Sequence, residues 1–228
     1  MEEKKAVCLF CSLGCGFSID VDNGEVRGLE FEPEHPINKG SLCPRAHYTV
    51  EILNHPLRLT TPQIRDGERF RKVPWDEAFS LLFDRVNEAK GKYGPNSIGV
   101  IIDPNHTTEE VYAAWKLARE VIKTDNFAIA FPSDDYGMLK GIEGSPGKLD
   151  ELGDVNSFII VGDLFRKHPV LAKMVISARY KERGNSLIAI DPRRSNTTWF
   201  ATSHLRPRPG SEALIIAWIL KEILKLVP

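Results

Sequence analysis

Cys8-Leu9-Phe10-Cys11-Ser12-Leu13-Gly14-Cys15, followed after 27 residues by the Cys43 of Gly40-Ser41-Leu42-Cys43-Pro44-Arg45, decides how the rest of the chain is read, because these four cysteines are all it has. A cubane cluster needs thiolates on several corners; a tight loop supplies three, and a distant cysteine can reach the last while pinning a second loop. Soft thiolates select iron-sulfur or zinc over hard cations. Structural zinc sites with four cysteines usually come as two separated short pairs, whereas three of these cysteines fall within eight residues. The spacing therefore favours a [4Fe-4S] cluster on Cys8, Cys11, Cys15 and Cys43, with zinc as the rival. Gly14 and Gly16 flank Cys15, where a missing Cβ lets backbone N–H groups approach the sulfurs and tune the potential. Leu13, Phe17 and Leu42 are expected to shield the site from water, and His47 is a candidate donor behind the ligands.

Outward from the cysteines, Phe17 to Val21 and Val26 to Phe31 flank Asp22-Asn23-Gly24, a strong hairpin signal. A connector punctuated by Pro56, Pro62 and Pro74 leads into an amphipathic helix from Trp75 to about Tyr93, with Ala78, Leu81, Leu82 and Val86 on one face. Beyond it, β-branched runs at Ile98 to Ile102, Phe127 to Ala130, Phe158 to Val161 and Leu187 to Ile190 alternate with helical stretches at Thr107 to Ile122 and Pro169 to Arg183. Thr107 with Glu110 forms a capping box, and Gly184 is placed as a helix C-cap. Runs without polar alternation suit parallel strands covered on both faces. The expected architecture is α/β: a small N-terminal iron-sulfur domain with a β-hairpin over residues 1–56, then a mostly parallel α/β sheet domain over 57–228. The last helix, Ser211 to about Leu226, is apolar on more than one face and reads first as a buried helix, second as one docked on a partner subunit.

Composition is that of an ordinary globular chain, with 42% apolar and 27% charged residues. Lys+Arg 30 against Asp+Glu 31 points to no polyanionic partner, so nucleic acid is not expected. The longest apolar run, Ala213 to Leu220, is far short of the roughly 20 residues of a membrane span. With no secretory signal read at the N-terminus, the cytoplasm is the expected compartment, where four cysteines suit metal or redox chemistry better than disulfides.

The cysteine spacing together with Gly40-Ser41-Leu42-Cys43-Pro44-Arg45 resembles the molybdopterin oxidoreductase family, which includes formate dehydrogenase catalytic subunits and the large iron-sulfur subunit of complex I. Further resemblances follow in family order. They are Asn54-His55-Pro56-Leu57-Arg58-Leu59 with Thr61-Pro62 and Ile64-Arg65, then Val73-Pro74-Trp75-Asp76-Glu77-Ala78. Gly162-Asp163-Leu164 with His168-Pro169, Ile190-Asp191-Pro192-Arg193, and Arg208-Pro209-Gly210-Ser211-Glu212-Ala213 complete the set. The resemblance implies that the later loops descend from a site for a pyranopterin guanine dinucleotide, with Arg45, Gly162, His168, Asp191, Arg193 and Gly210 as its remnants. Loops after parallel strands are where open α/β sheets bind nucleotides, and Arg193 has the forked donors that suit phosphate or guanine oxygen.

Departures from the family pattern shape the expected role. Family catalytic subunits continue for several hundred residues beyond the point corresponding to Pro228. No cysteine stands in Phe131-Pro132-Ser133-Asp134-Asp135-Tyr136, where the family places its metal ligand; Ser133, Asp134 and Asp135 read better as a surface turn. Arg45 stands where many members have lysine, keeping the charge without the easy titration, and an Asp163 carboxylate would repel a nearby phosphate. No catalytic residue is assigned, and molybdopterin guanine dinucleotide is not expected to be bound. The preferred reading is an electron-transfer subunit that relays single electrons through one [4Fe-4S] cluster, with flavin or iron-sulfur proteins as partner subunits of a larger complex. The alternatives are one piece of a split molybdenum or tungsten enzyme, and a zinc- or cluster-stabilised assembly protein.

Overall fold

The computed structural model describes residues 2–103, 105–130 and 147–226. They form two compact units: residues 1–48 with 145–228, and residues 49–144. The N-terminal cysteine segment thus packs with the last third of the chain.

In the first unit, β1 (Glu2–Val7), β2 (Gly16–Asp22) and β3 (Glu25–Phe31) make an antiparallel sheet with β2 central. The expected hairpin is present. It turns at Asn23 (φ 50°) and Gly24 (φ 82°), the left-handed pair that an Asn-Gly turn supplies, and Phe17 stands opposite Phe31. Strand β1 was not expected, because Glu2-Glu3-Lys4-Lys5 shows no apolar alternation. It is an exposed edge strand, the position in a sheet that best tolerates charge. Lys5 Nζ anchors it to Glu32 Oε2 at 3.3 Å, and Ser18 Oγ donates to the other oxygen of that carboxylate. Helix α1 (Pro44–His47) follows the last cysteine.

The second unit begins with α2 (Thr49–Asn54) and a hairpin of β4 (Gln63–Asp66) and β5 (Arg69–Lys72). This hairpin lies in what reads as a connector; its turn signal is Asp66-Gly67, with Gly67 at φ 60°. Helix α3 (Trp75–Tyr93) has the expected extent and ends at Gly94, φ 83°, but its apolar stripe is not buried, and Trp75 stacks on Phe79 with ring centroids 5.5 Å apart. Strands β6 (Val100–Ile102) and β7 (Phe127–Ile129) pair in parallel. Between them runs α4 (Thr108–Lys116), which carries the expected capping box: Glu110 N donates to Thr107 Oγ1 at 3.3 Å and Thr107 N to Glu110 Oε2 at 2.8 Å.

The chain re-enters the first unit with a three-stranded parallel sheet, β8 (Ser157–Val161), β9 (Ser186–Ile190) and β10 (Ser203–Leu205), in the order β10-β9-β8. Helices α5 (Leu164–Lys167) and α6 (Pro169–Lys181) make the crossover from β8 to β9, and α7 (Asn196–Trp199) precedes β10. The core sits under this crossover. Phe158 and Ile160 of β8 and the fully buried Leu187 and Ala189 of β9 pack against Phe165, Ala172, Val175 and Ala178.

Three details differ from expectation. Among the described residues, β8 is covered on one face only, since Ile159 and Val161 are exposed while Phe158 and Ile160 are buried. Gly184 is not the cap of α6: the helix stops at Lys181 with Glu182 extended, and Asn185 Nδ2 satisfies a last-turn carbonyl by donating to Ala178 O at 2.8 Å. Helix α8 (Glu212–Leu224), read first as buried, has no buried residue, and Leu214, Trp218 and Leu224 are all exposed. Among the described residues, no helix is long and apolar enough to cross a membrane.

Candidate metal centre

Cys8 follows the end of β1 and Cys15 precedes the start of β2, so the antiparallel pairing of these strands brings the two ends of the cysteine loop together. Cys8 N donates to Cys15 O at 2.8 Å across the neck, and Gly14, at φ 71°, makes the last turn before Cys15. Cys43 occupies the N-cap position of α1, with Ala46 N donating to Cys43 O at 3.0 Å. Cys8, Cys15 and Cys43 are buried in one apolar cluster with Phe17, Ala46 and Val170, while Leu13, Leu42 and Met174 pack around it. Cys11 is half-buried, and all four thiols are free of disulfides.

The four sulfurs are close enough to feel one another. Burial, and then the Cys11, Cys8 and Cys43 charges, push the Cys15 thiol from its ordinary 9.0 to about 11, against a hydrogen bond from its own amide. Burial also raises the Cys8 thiol; the Phe10 N–H donated to its sulfur and the Arg45 charge oppose that rise. A sign follows for the metal-free chain. Unfolded Cys15 releases its proton near 9.0 and folded Cys15 holds it to about 11, so the folded state binds more protons in that window and stability falls as pH rises through it. The loss expected from Cys15 is about 1 kcal/mol, the full ~1.4 kcal/mol per pH unit being reduced by solvent screening. Urea unfolding of the metal-free protein across this window checks it, and Cys15→Ala should flatten the fall.

The loop that carries Cys43 is tied down by Asn38, whose side chain is buried. Its Oδ1 accepts from Gly16 N at 2.8 Å, and its Nδ2 donates to Gly16 O at 2.9 Å and Ser41 O at 3.0 Å. Lys173 Nζ of α6 adds a bond to Ser41 Oγ at 2.6 Å. Gly40 in the same loop has φ 75°, and a Cβ there would lie 3.3 Å from Pro33 Cα. Gly40→Ala is therefore expected to destabilise the first unit by about 1–2 kcal/mol, read as a shift of the urea midpoint. Sequence reasoning passed over Asn38 because an Asn between Pro36 and Gly40 reads as an ordinary turn residue. Gly16 N–H is held by Asn38, while the amides of Phe10 and Cys15 reach the sulfurs of Cys8 and Cys15. His47 is also not behind the ligands, because its exposed ring packs edge-on against Phe31, centroids 5.8 Å apart.

The remaining candidate residues fall into two groups and a separate turn. Arg45 and His168 meet beside the cysteine core: Arg45 Nη2 donates to Lys167 O at 2.6 Å, and burial, then the Arg45 and Lys167 charges, lower the His168 pKa. Gly162 and Asp191 lie at the carboxyl ends of β8 and β9. Gly162 (φ 81°) donates its N–H to Ile190 O at 2.8 Å. Asp191 is 1% exposed; its Oδ1 accepts from Arg193 N at 2.8 Å, and its Oδ2 is buried without a partner among the described residues. The Arg193 guanidinium is largely exposed, with Nε 3.7 Å from Asp191 Oδ1. Gly210 (φ 85°) sits in the turn after β10, where Ser211 N donates to Arg208 O at 3.0 Å. The Asp163 carboxylate accepts from Thr197 Oγ1 at 3.2 Å and Thr197 N at 3.4 Å, so it serves the loop itself. His204, which the sequence suggests is structural or solvated, and Arg206 close this edge: His204 Nε2 lies 2.7 Å from Asp191 O, and Arg206 Nε donates to Pro192 O at 2.9 Å. Ser133, Asp134 and Asp135 lie outside the described residues.

Comparison with known proteins places the chain in a family. Residues 1–55 match the molybdopterin oxidoreductase Fe4S4 domain, and residues 58–225 match molybdopterin oxidoreductase. The chain is 31% identical over 226 residues to F420-dependent formate dehydrogenase 2 subunit alpha of Methanococcus maripaludis, covering 96% of this chain and 32% of that one. It is 30% identical over 228 residues to the periplasmic nitrate reductase of Desulfovibrio desulfuricans, covering 95% of this chain and 30% of that one. Acetylene hydratase from Pelobacter acetylenicus shares the fold, with TM-score 0.69 and 21% identity over 90% of this chain and 29% of that one. The chain thus spans about a third of the length of these relatives. With an Fe4S4 domain followed by the oxidoreductase domain over most of its length, the chain belongs to the molybdopterin oxidoreductase family.

Proposed function

We propose that Cys8, Cys11, Cys15 and Cys43 hold one [4Fe-4S] cluster, and that the chain relays single electrons through it as part of a larger oxidoreductase. The observation that carries this reading is the gathering of three buried thiols in a single apolar core, with the half-buried Cys11 close enough for its charge to act on two of them, within a segment that matches an Fe4S4 domain. The thiols also feel one another's charge, as ligands of one centre would, and three of the four lie within eight residues, unlike the two separated pairs usual in structural zinc sites.

When bound, such a cluster supplies one-electron redox chemistry. The residues of this chain provide its setting. Cys8 and Cys15 keep their protons until metal displaces them, so loading releases protons and is favoured by higher pH. Phe17, Leu13 and Leu42 exclude water from the sulfurs, and Arg45 adds a positive charge beside Cys8. The partners we propose are flavin or iron-sulfur subunits, and the compartment is the cytoplasm, which suits four unpaired thiols. Anaerobic purification with iron and sulfide counting tests the reading: about four of each and a redox-active EPR signal are expected, and fewer than about three irons would end it. A colourless preparation holding one zinc would point to a structural role instead.

A second reading is favoured by the unpartnered Oδ2 of buried Asp191, a group left wanting a donor at the end of a parallel strand. On this reading Gly162, Asp191, Arg193 and Gly210, with Arg45 and His168, hold part of a pterin guanine dinucleotide in a molybdenum or tungsten enzyme. Metal analysis of the native complex decides it, since the absence of molybdenum, tungsten and extractable pterin rules it out.

A further inference from the structure

We infer that Asn38 is a positioning residue that sets the potential of the proposed cluster, by keeping the Gly16 amide away from the Cys15 sulfur and fixing the Cys43 loop. The inference rests on the cysteine-ligated reading above. Asn38 is 1% exposed, and a buried carboxamide must find all its hydrogen bonds among its neighbours. Here one side chain takes both Gly16 N and Gly16 O, at 2.8 Å and 2.9 Å, and also holds Ser41 O at 3.0 Å. Gly16 directly follows one cysteine, and Ser41 lies two residues before another. The ring of His35 packs so closely on Gly16 that any added Cβ would overlap it, which further confines that residue.

The electrostatic consequence has a sign. N–H groups aimed at sulfur stabilise the reduced, more negative cluster and raise its potential. The amides of Phe10 and Cys15 already reach sulfur. Gly16 N–H, next along the chain from Cys15, is the neighbouring donor, and Asn38 Oδ1 withholds it.

The test is an anaerobic redox titration of the iron-loaded full chain, followed by EPR, for wild type, Asn38→Ala and Asn38→Asp. Removing the acceptor in Asn38→Ala frees the Gly16 dipole. At the poise where wild type is half reduced, its reduced-to-oxidised ratio should rise about tenfold, equivalent to about 59 mV for one electron. Asn38→Asp keeps an acceptor for Gly16 N but adds negative charge and loses the amide donors, so its ratio should fall. Wild-type iron content with unchanged potentials in both variants would overturn the inference and leave the cysteine ligation standing. A wild-type chain that takes up no iron would remove that ligation and the inference with it. If Asn38→Ala holds no iron, the near-isosteric Asn38→Leu, which removes the acceptor without adding charge, decides: a higher potential supports the assignment and an unchanged one overturns it.

Discussion

Replacing Cys43 with alanine is expected to cut the iron content from about four per chain to about three or fewer, with loss of the wild-type EPR signal. Cys43 is the one cysteine on the second loop; the other three lie within residues 8–15. It is buried among the apolar side chains of Phe17, Ala46 and Val170, none of which can replace its sulfur. The Asn38 and Lys173 ties to Ser41 would remain, and the loop should keep its place. The defect is therefore predicted in metal content rather than in folding: far-UV circular dichroism should match wild type while iron falls. Full iron retention in Cys43→Ala would show that this thiol is not a ligand.

Phe17→Ala should produce the largest loss of stability. Phe17 is 2% exposed, stands at the start of the central strand β2, and contributes the largest side chain in the cysteine core. Truncating a buried Phe to Ala typically costs about 3–5 kcal/mol, against a total of about 5–15 kcal/mol for a folded domain. The cavity would also admit water beside the sulfurs, so the iron-loaded variant should bleach faster in air. Urea unfolding of the metal-free and loaded forms measures the first effect, and absorbance decay the second. A stability change under about 1 kcal/mol would mean that this core is far less well packed than its burial implies.

Parts of this molecule could be read directly from its residues, and the reasons are specific. The hairpin of β2 and β3 was legible because Asn23 and Gly24 accept positive φ where few other residues do, and α4 because its cap is a local exchange of hydrogen bonds between Thr107 and Glu110. The four cysteines were legible because spacing is itself the chemical signal. What could not be read depends on distant partners. Strand β1 exists because β2 offers it an edge, not because Glu2-Glu3-Lys4-Lys5 prefers to be extended. Asn38 matters because Gly16, 22 residues earlier, needs both its bonds. The same holds for α6, which ends at Lys181 because the Asn185 side chain turns back to it, a competition that the nearby Gly184 obscured.

The neck formed by Cys8 N and Cys15 O also implies an order of assembly. Cys8 and Cys15 are 7 residues apart, whereas Cys43 lies 28 beyond Cys15; closing a span four times longer costs about 1.2 kcal/mol more in chain entropy. On a nascent or refolding polypeptide, the first three sulfurs can therefore gather almost as soon as they emerge, and the fourth arrives only after the β2–β3 hairpin has shortened its path. An incoming inorganic core would meet a three-pronged cradle first and be locked in afterwards.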